Sequence, residues 1–150
     1  MDSTDKRILK ALQKDGRMTN LKLAEEVNLS PTPCLKRVRA LEEKGVIDHY
    51  CAVLNPEKAG YGVNAMILMK ISANTREAAM EFADAIAKIS AVTECHTVAG
   101  RYDYICRVYA RDMREHERVV QDELSRLPGL SSMETLFVLS TAVEFRGFSF

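Results

Sequence analysis

Apolar positions in the first third of the chain recur every three to four residues, which is the period of an amphipathic helix. The pattern predicts a helix over 2–15 that ends at Gly16, and then a second helix that Thr19 caps. Asn28 enters the left-handed backbone region more readily than most residues, so it suits a turn before a third helix capped by Ser30. Two helices, a tight turn and a third helix predict a helix-turn-helix unit.

The third predicted helix separates an apolar stripe from a basic side. Leu35, Val38 and Leu41 recur at three-residue spacing and form the stripe, and Pro31 fits the first helical position. No acidic residue occurs on this helix before Glu42. Because the third helix of such a unit lies in the DNA major groove, its early side chains are nearest to the bases. The predicted DNA contacts are Ser30, Thr32, Pro33, Lys36, Arg37 and Arg39.

The charge distribution places the nucleic-acid function in the N-terminal third. Residues 1–50 carry ten Lys and Arg against eight Asp and Glu, whereas residues 51–150 carry eleven against thirteen. A short basic helix is often only a solvated surface, but the three-helix order and the unopposed cations favour binding to double-stranded DNA. Because an excess of two positive charges is small, we expect a monomer to bind DNA weakly and a dimer to bind it better.

After Gly45 the hydrophobic pattern changes from a helical period to short apolar runs and alternation. A first strand is predicted over 46–54, followed by a connector that contains Pro and Gly. The further elements are strand 63–72, a helix capped by Thr75, strands 92–99 and 103–110, a helix capped by Asp112, and strand 133–144. This order is the internal duplication of a ferredoxin-like βαββαβ fold. We therefore predict an α+β chain with a helix-turn-helix domain at 1–48, a strand and linker at 49–62, and a ferredoxin-like domain at 63–150.

Both predicted helices of the second domain present an apolar side to one face of the sheet. The inward residues are Ala79, Phe82, Ala83, Ile86 and Ile89 in the first helix, and Val119, Val120, Leu124 and Leu127 in the second. No segment is left to cover the other face, although the strands are apolar on both sides. We therefore expect two sheets to pack together in a homodimer, which also pairs two DNA-binding helices.

Residue types that carry catalysis or bind metals are scattered along the chain. The cysteines are Cys34, Cys51, Cys95 and Cys106. The histidines are His49, His96 and His116. Without a metal-binding spacing or a nucleophile motif, we predict no catalytic residue, no metal site and no cofactor, and we interpret Cys34 as a small packing residue. The chain shows no signal-peptide pattern and no membrane-spanning apolar run, so we expect a soluble cytoplasmic protein that does not bind membranes.

A short motif at 100–104, Gly-Arg-Tyr-Asp-Tyr, lies between two predicted strands. Exposed backbone N–H groups of such a turn can bind a carboxylate, and Asp103 could pair with an ammonium group. Apolar strand residues nearby would then receive the side chain of a free amino acid. A plain hairpin turn with a solvated Asp is the simpler interpretation, and both interpretations stay open at this point.

Two other classes of protein also stay open for the whole chain. One is a small metabolic enzyme with a helical cap, and the other is a module that binds amino acids and assembles only with proteins. Neither explains the basic side of the third helix.

Several sequence blocks, in order, resemble the Lrp/AsnC family of leucine- and asparagine-responsive regulators over nearly the whole chain. The blocks are DKRIL at 5–9, LQKDGR at 12–17, LSPTPCLKRVRALEEKGVI at 29–47, ECHTVAGRYDY at 94–104 and LPG at 127–129. The sequences of the third and fourth blocks are most similar to the leucine-responsive branch of the family. Asn28 and His49 stand where the family commonly has Gly.

The resemblance implies a winged helix-turn-helix joined to an amino-acid-binding βαββαβ domain, in an allosteric regulator of transcription. It implies homodimers that assemble into an octamer, and a nucleoid-associated location in the cytoplasm. Leucine or methionine is the expected effector, bound between dimers near the 100–104 turn. The implied effector-binding residues are Gly100, Tyr102, Asp103 and Tyr104, with Val98 and Thr135 as nearby strand positions.

Overall fold

The computed structural model describes residues 1–72 and 75–150, and the chain forms two compact units. Met1–Val53 and Val143–Phe150 together form the first, which we call the helical unit. Leu54–Ala142 forms the second, which we call the sheet unit. Each unit buries a hydrophobic core of its own. The last residues of the chain are therefore part of the helical unit.

The helical unit contains the three predicted helices, which are α1 (Ser3–Lys14), α2 (Asn20–Glu26) and α3 (Pro31–Glu43). Asp2 caps α1 and Thr19 caps α2, each by accepting backbone N–H bonds with its side chain. Their shared core consists of Ile8, Leu9, Ala11, Leu23, Ala24, Val27, Cys34, Val38 and Leu41. The three helices of the predicted helix-turn-helix are therefore confirmed.

The turn between α2 and α3 has the conformation that the sequence predicts. Asn28 has a φ of 55°, in the left-handed region, and Leu29 packs against the core of the unit. The predicted apolar stripe of α3 needs one correction, because Leu35 is 37 % exposed. The buried stripe consists of Cys34, Val38 and Leu41, whose spacing of four and three residues follows one side of a 3.6-residue helix more closely.

The predicted strand over 46–54 is wrong, since no helix or strand forms there. A strand needs a neighbour for its backbone groups, and no described strand pairs with this segment. Val53 is 93 % exposed, and the segment is anchored instead by Tyr50, whose hydroxyl donates to Glu42 Oε1 at 2.9 Å. Partial burial of the ring, and after it the bond to Glu42, raise the pKa of Tyr50 to about 12.

The sheet unit has the predicted ferredoxin-like order of elements. Its elements are β1 (Val63–Ile71), α4 (Arg76–Ile86), β2 (Val92–Thr97), β3 (Tyr104–Ala110), α5 (Met113–Arg118) and β4 (Leu130–Phe137). The four strands form one sheet in the order β2-β3-β1-β4, and every neighbouring pair is antiparallel. β4 begins and ends earlier than the predicted 133–144, because its pairing with β1 runs only from Leu130 opposite Ile71 to Phe137 opposite Ala65.

The helices pack on one face of this sheet. Phe82 of α4 is fully buried, and its ring stacks on Tyr104 of β3 with centroids 4.3 Å apart. The buried predicted inward residues are Phe82, Ile86, Ile89, Val119, Leu124 and Leu127. Ala83 is exposed, so that part of the prediction is wrong. After α5 the chain continues as a π-helical turn (Val119–Glu123) and a 3-10 turn (Leu124–Arg126) rather than as one α-helix.

The opposite face of the sheet carries the alternate residues of β1 and β3. Met66 and Leu68 of β1 lie opposite Arg107 and Ile105 of β3, and all four are partly exposed. Arg107 Nε pairs with Glu94 Oε1 of β2 at 2.8 Å. This face, which we call the open face, therefore combines apolar residues with an ion pair.

Candidate functional sites

The exposed side of α3 and its N-cap residue carry five of the six predicted DNA contacts. These exposed residues are Ser30, Thr32, Pro33, Lys36 and Arg39. The buried stripe on the other side fixes the helix against α1 and α2, so the exposed residues stand on a rigid element. Lysine and arginine on such a helix can contact phosphates, and the polar residues of its first turn are nearest to the base edges.

The start of α3 is held by its neighbour rather than by the Ser30 side chain. Ser30 occupies the N-cap position, but it makes no side-chain capping bond. One cause is that Pro33, at the third helical position, has no N–H to donate. The side-chain amide of Asn20 in α2 donates to the Pro31 carbonyl at 2.9 Å instead. The Ser30 hydroxyl therefore remains available at the exposed end of the helix.

Arg37, the sixth predicted contact, differs from the other cations of α3. Its Nη1 donates to Asp2 Oδ2 and to Asp5 Oδ1, both at 2.7 Å, and 38 % of its side chain stays exposed. The pKa of the Arg37 guanidinium is raised, first by the bond to Asp5 and then by the bond to Asp2. The bonds that the two carboxylates accept, first from each other's backbone N–H and also from Arg37, lower the pKa of both. The prediction of unopposed cations is therefore wrong for Arg37.

The 100–104 turn joins β2 to β3 as a tight hairpin. The Val98 N–H donates to the Asp103 carbonyl, and the Asp103 N–H donates to the Met69 carbonyl, each at 2.9 Å. Asp103 Oδ2 accepts the Ile71 N–H at 2.9 Å, so this carboxylate also ties the hairpin to the end of β1. A Cβ built at Gly100 would meet nothing within 4 Å, so the space above this glycine is open.

The two tyrosines of the motif have different surroundings. The Tyr102 hydroxyl donates to Glu134 Oε2 of β4, a bond that raises the pKa of Tyr102, and the Arg101 guanidinium lies 5.5 Å from the centre of its ring. Tyr104 is buried against Phe82 and belongs to the hydrophobic core. Glu134 is the neighbour that sequence analysis missed, because nothing in local spacing indicates which strand lies next to the turn.

Thr135 lies away from the hairpin residues, because successive side chains of β4 point to opposite faces of the sheet. It lies opposite Ile67, on the face covered by the helices, whereas Glu134 lies opposite Leu68 on the open face. Thr135 lines a cavity of about 510 Å³ together with His116 and Phe137. The structure thus brings Val98, Gly100, Tyr102 and Asp103 together in one hairpin and places Thr135 in a different cavity.

Metal-binding clusters and membrane-spanning helices are absent from the part of the chain that the structure describes. Within residues 1–72 and 75–150, no group of three or more His, Cys, Asp or Glu side chains could hold a metal ion. Over the same residues, no helix is long and apolar enough to cross a membrane. Burial raises the pKa of the Cys34 thiol, and the pKa of Cys106 reaches about 12, chiefly because it is buried.

A helix-turn-helix with an exposed polar and basic third helix defines the class of DNA-binding proteins, here with a separate ferredoxin-like unit after it. Two family models match this chain. A winged helix-turn-helix DNA-binding domain matches residues 1–48, and the Lrp/AsnC ligand binding domain matches residues 64–148. The chain belongs to the Lrp/AsnC family of transcriptional regulators.

Curated relatives share more than a third of the sequence over most of both chains. The proline dehydrogenase transcriptional activator of Rhizobium radiobacter is 40 % identical over 144 residues, which cover 96 % of this chain and 92 % of that protein. The leucine-responsive regulatory protein of Escherichia coli (strain K12) is 37 % identical over 139 residues, covering 93 % and 85 %. These relatives are transcriptional regulators and not enzymes, and this chain is likewise a DNA-binding regulator with an amino-acid-binding domain.

Solved structures of other proteins are similar to this chain over nearly its whole length. A transcriptional regulator of Neisseria meningitidis, crystallised as a complex with L-methionine, has a TM-score of 0.90 and 35 % identity, covering 96 % of this chain and 93 % of that one. An AsnC family regulator of Agrobacterium tumefaciens has a TM-score of 0.92 and 26 % identity, covering 99 % and 97 %.

Proposed function

We propose that this regulator binds DNA through the exposed side of α3 and that leucine or methionine changes its assembly or its DNA affinity. The observation that supports the role of α3 is that Lys36 and Arg39 are exposed on one side of the helix. The other side is buried through Cys34, Val38 and Leu41. Ser30, Thr32 and Pro33 at the start of α3 would lie nearest to the bases. Arg37, Arg39 and Lys36 would contact phosphates.

The amino-acid site is proposed at the hairpin of residues 98–104. Backbone N–H groups around Gly100 would bind the carboxylate of the effector, and the second oxygen of Asp103 would pair with its ammonium group. Val98, which is 37 % exposed, offers apolar surface for the effector's side chain. Tyr104 would contribute only its backbone, because its ring is buried. Thr135 would belong to the effector site only if the cavity that it lines on a second molecule lies next to the hairpin. The methionine complex of the Neisseria meningitidis regulator supports this class of effector.

The functional form is proposed to be a homodimer that can assemble to an octamer on DNA in the cytoplasm. The open face, with Met66, Leu68 and Ile105 only partly exposed, offers apolar surface for a second sheet. An amino acid that binds one arrangement of dimers better than another would shift the population of assemblies and the spacing of the α3 helices.

The test is a binding titration on the DNA upstream of the gene, followed by fluorescence anisotropy at two salt concentrations. Leucine, methionine and proline are added separately, the last because one relative is an activator of proline dehydrogenase. We expect binding that weakens with salt and changes with leucine or methionine. Binding that none of the amino acids alters would refute the effector proposal, and the absence of binding at low salt would refute the role of α3.

Asp103→Asn tests the effector site separately from DNA binding. Asn keeps an acceptor for the Ile71 N–H but loses the charge that would pair with an ammonium group. We expect effector affinity, measured by isothermal titration calorimetry, to fall roughly ten-fold or more, as for loss of a charged partner, with thermal stability close to wild type. Glu81→Gln, which removes an exposed charge from α4, is the matched control. Equal effector affinity in Asp103→Asn and wild type would remove Asp103 from the site.

A further inference from the structure

The first residues of the helical unit hold two carboxylates in fixed positions. Asp2 Oδ1 accepts the backbone N–H groups of Thr4 at 2.9 Å and Asp5 at 2.8 Å. Asp5 Oδ2 accepts the backbone N–H of Asp2 at 3.0 Å, which completes a capping box at the start of α1. One oxygen of each carboxylate is thus bound to the α1 backbone, and the other oxygen is left to point elsewhere.

Both remaining oxygens bind the same nitrogen of α3. Asp2 Oδ2 and Asp5 Oδ1 each lie 2.7 Å from Arg37 Nη1. Within the described residues, Nε and Nη2 of Arg37 have no hydrogen-bond partner, and 38 % of the side chain is exposed. Since a guanidinium has five donors in one plane, fixing Nη1 also fixes the direction in which the other donors point.

We propose that Asp2 and Asp5 are positioning residues for DNA binding, which hold Arg37 so that its free edge meets a backbone phosphate. A pre-oriented guanidinium loses less side-chain freedom when a phosphate binds than a free one does. The two carboxylates also join the start of α1 to the middle of α3, so they set the orientation of the DNA-binding helix. Asp2 and Asp5 do not themselves touch DNA in this proposal.

Simple electrostatics predicts the opposite effect of these residues. Two carboxylates near a DNA-binding surface repel phosphates, so removing one would strengthen binding if charge alone mattered. The same increase is expected if the carboxylates only occupied Arg37 in place of DNA. A positioning role predicts that removal weakens binding, and the sign of the change therefore separates the two explanations.

The experiment compares Asp5→Asn and Asp2→Asn with wild type in the full-length protein on the same upstream DNA. Asparagine keeps one acceptor oxygen for the backbone N–H groups that Asp2 and Asp5 bind, and at the N-cap it is as good as aspartate, so α1 is kept while the ion pair is lost. We expect the Kd to rise roughly five-fold or more in each variant, since an immobilised contact is lost. Glu26→Gln, which removes an exposed acid on α2, is the matched control and should bind DNA equally or slightly more tightly.

A second readout separates positioning from a loss of folding. If Arg37 contacts one phosphate only when it is held, the slope of log Kd against log salt should fall by about one unit in Asp5→Asn. Arg37→Gln, which has no charge to pair with a phosphate, should show the same smaller slope, and combining it with Asp5→Asn should cause little further loss. Circular dichroism should show wild-type helix content in all variants.

The proposal is overturned if Asp5→Asn binds DNA as tightly as the Glu26→Gln control, or more tightly. It is also overturned if binding weakens with an unchanged salt slope, because Arg37 then makes no phosphate contact that depends on the carboxylates. Failure of the underlying role of α3 is recognised separately, because the wild-type protein would then not bind DNA at all.

Discussion

His116 shows how a single buried polar group can set a pH dependence. The residue is only 6 % exposed, its Nε2 atom is buried without a hydrogen-bond partner in the described residues, and its ring lies 5.1 Å from Phe137. Burial lowers the pKa of this imidazole below its ordinary value of 6.5, so the folded protein holds it neutral. Arg114 and Glu117 line the same cavity and are exposed at its rim.

The sheet unit should therefore lose stability as the pH falls below 6.5. In that range the unfolded chain binds a proton that the folded chain resists, so the free energy of unfolding decreases towards the lower folded pKa. One such group contributes at most about 1.4 kcal/mol per pH unit. Urea unfolding of His116→Leu between pH 5 and pH 7 should give a flatter profile than wild type. An identical profile would show that His116 does not cause the dependence.

Gly147 marks a second position where one residue decides a local structure. Its φ of 81° is in the left-handed region, and a Cβ there would lie 2.4 Å from Gln13 Oε1 of α1. The Gln13 amide makes two bonds to the next residue, donating to the Phe148 carbonyl at 3.1 Å and accepting its N–H at 2.5 Å. The C-terminal segment is thereby bound to α1 within the helical unit.

Gly147→Ala should release this segment from α1. A side chain at positive φ costs roughly 1–2 kcal/mol, and the added methyl group displaces the Gln13 amide from both of its bonds. Trypsin cleavage after Arg146, followed by mass spectrometry, should become roughly five-fold faster or more, as that free energy implies. Gln13→Ala should accelerate cleavage similarly, and Ser149→Ala should not. Unchanged cleavage in both Gly147→Ala and Gln13→Ala would show that these bonds do not hold the segment.

At the scale of elements, local signals predicted most of the fold. Caps at Asp112 and Thr19 and the turn at Asn28 depend on neighbouring residues, so they are visible in the sequence. The same holds for the helical and strand periods, although the fine structure after α5 departs from a regular helix. Ala83 was misplaced because a small apolar residue fits an exposed helix position at little cost.

What the sequence analysis missed depends on contacts between distant parts of the chain. The Arg37–Asp5 ion pair joins residues 32 positions apart, and the Gln13–Phe148 bonds join residues 135 apart. The position of Glu134 beside Tyr102 depends on which strands pair, and local spacing does not specify this. The candidate sites were therefore predicted as motifs, whereas their neighbours required the structure.

At the scale of the whole molecule, the distribution of charge makes assembly part of the function. The chain has a formal net charge of zero, and its first fifty residues carry only a small positive excess. A single α3 helix neutralises few phosphates, so its affinity for DNA should be low and strongly reduced by salt. Two α3 helices held in one dimer act on the same DNA molecule, and the second contact then occurs at a high effective concentration.

Leu68→Lys tests whether the open face carries that assembly. Leu68 lies on the central strand β1, between Ile105 and Glu134 on its two neighbours, and it is already partly exposed. A lysine there can reach water in the monomer, so the unit should fold, whereas burial against a second sheet would leave its charge without water. We expect light scattering to give the mass of a monomer and DNA affinity to fall roughly ten-fold or more as the second contact is lost.

Met80→Lys is the matched control, because Met80 is a 59 % exposed side chain on α4, on the helix-covered side of the sheet. It should keep both the wild-type mass and the wild-type DNA affinity. If Leu68→Lys also keeps the wild-type mass, the open face is not the dimer interface. If it becomes monomeric while binding DNA normally, assembly is not what compensates for the small charge of the helical unit, and each α3 helix must bind DNA well by itself.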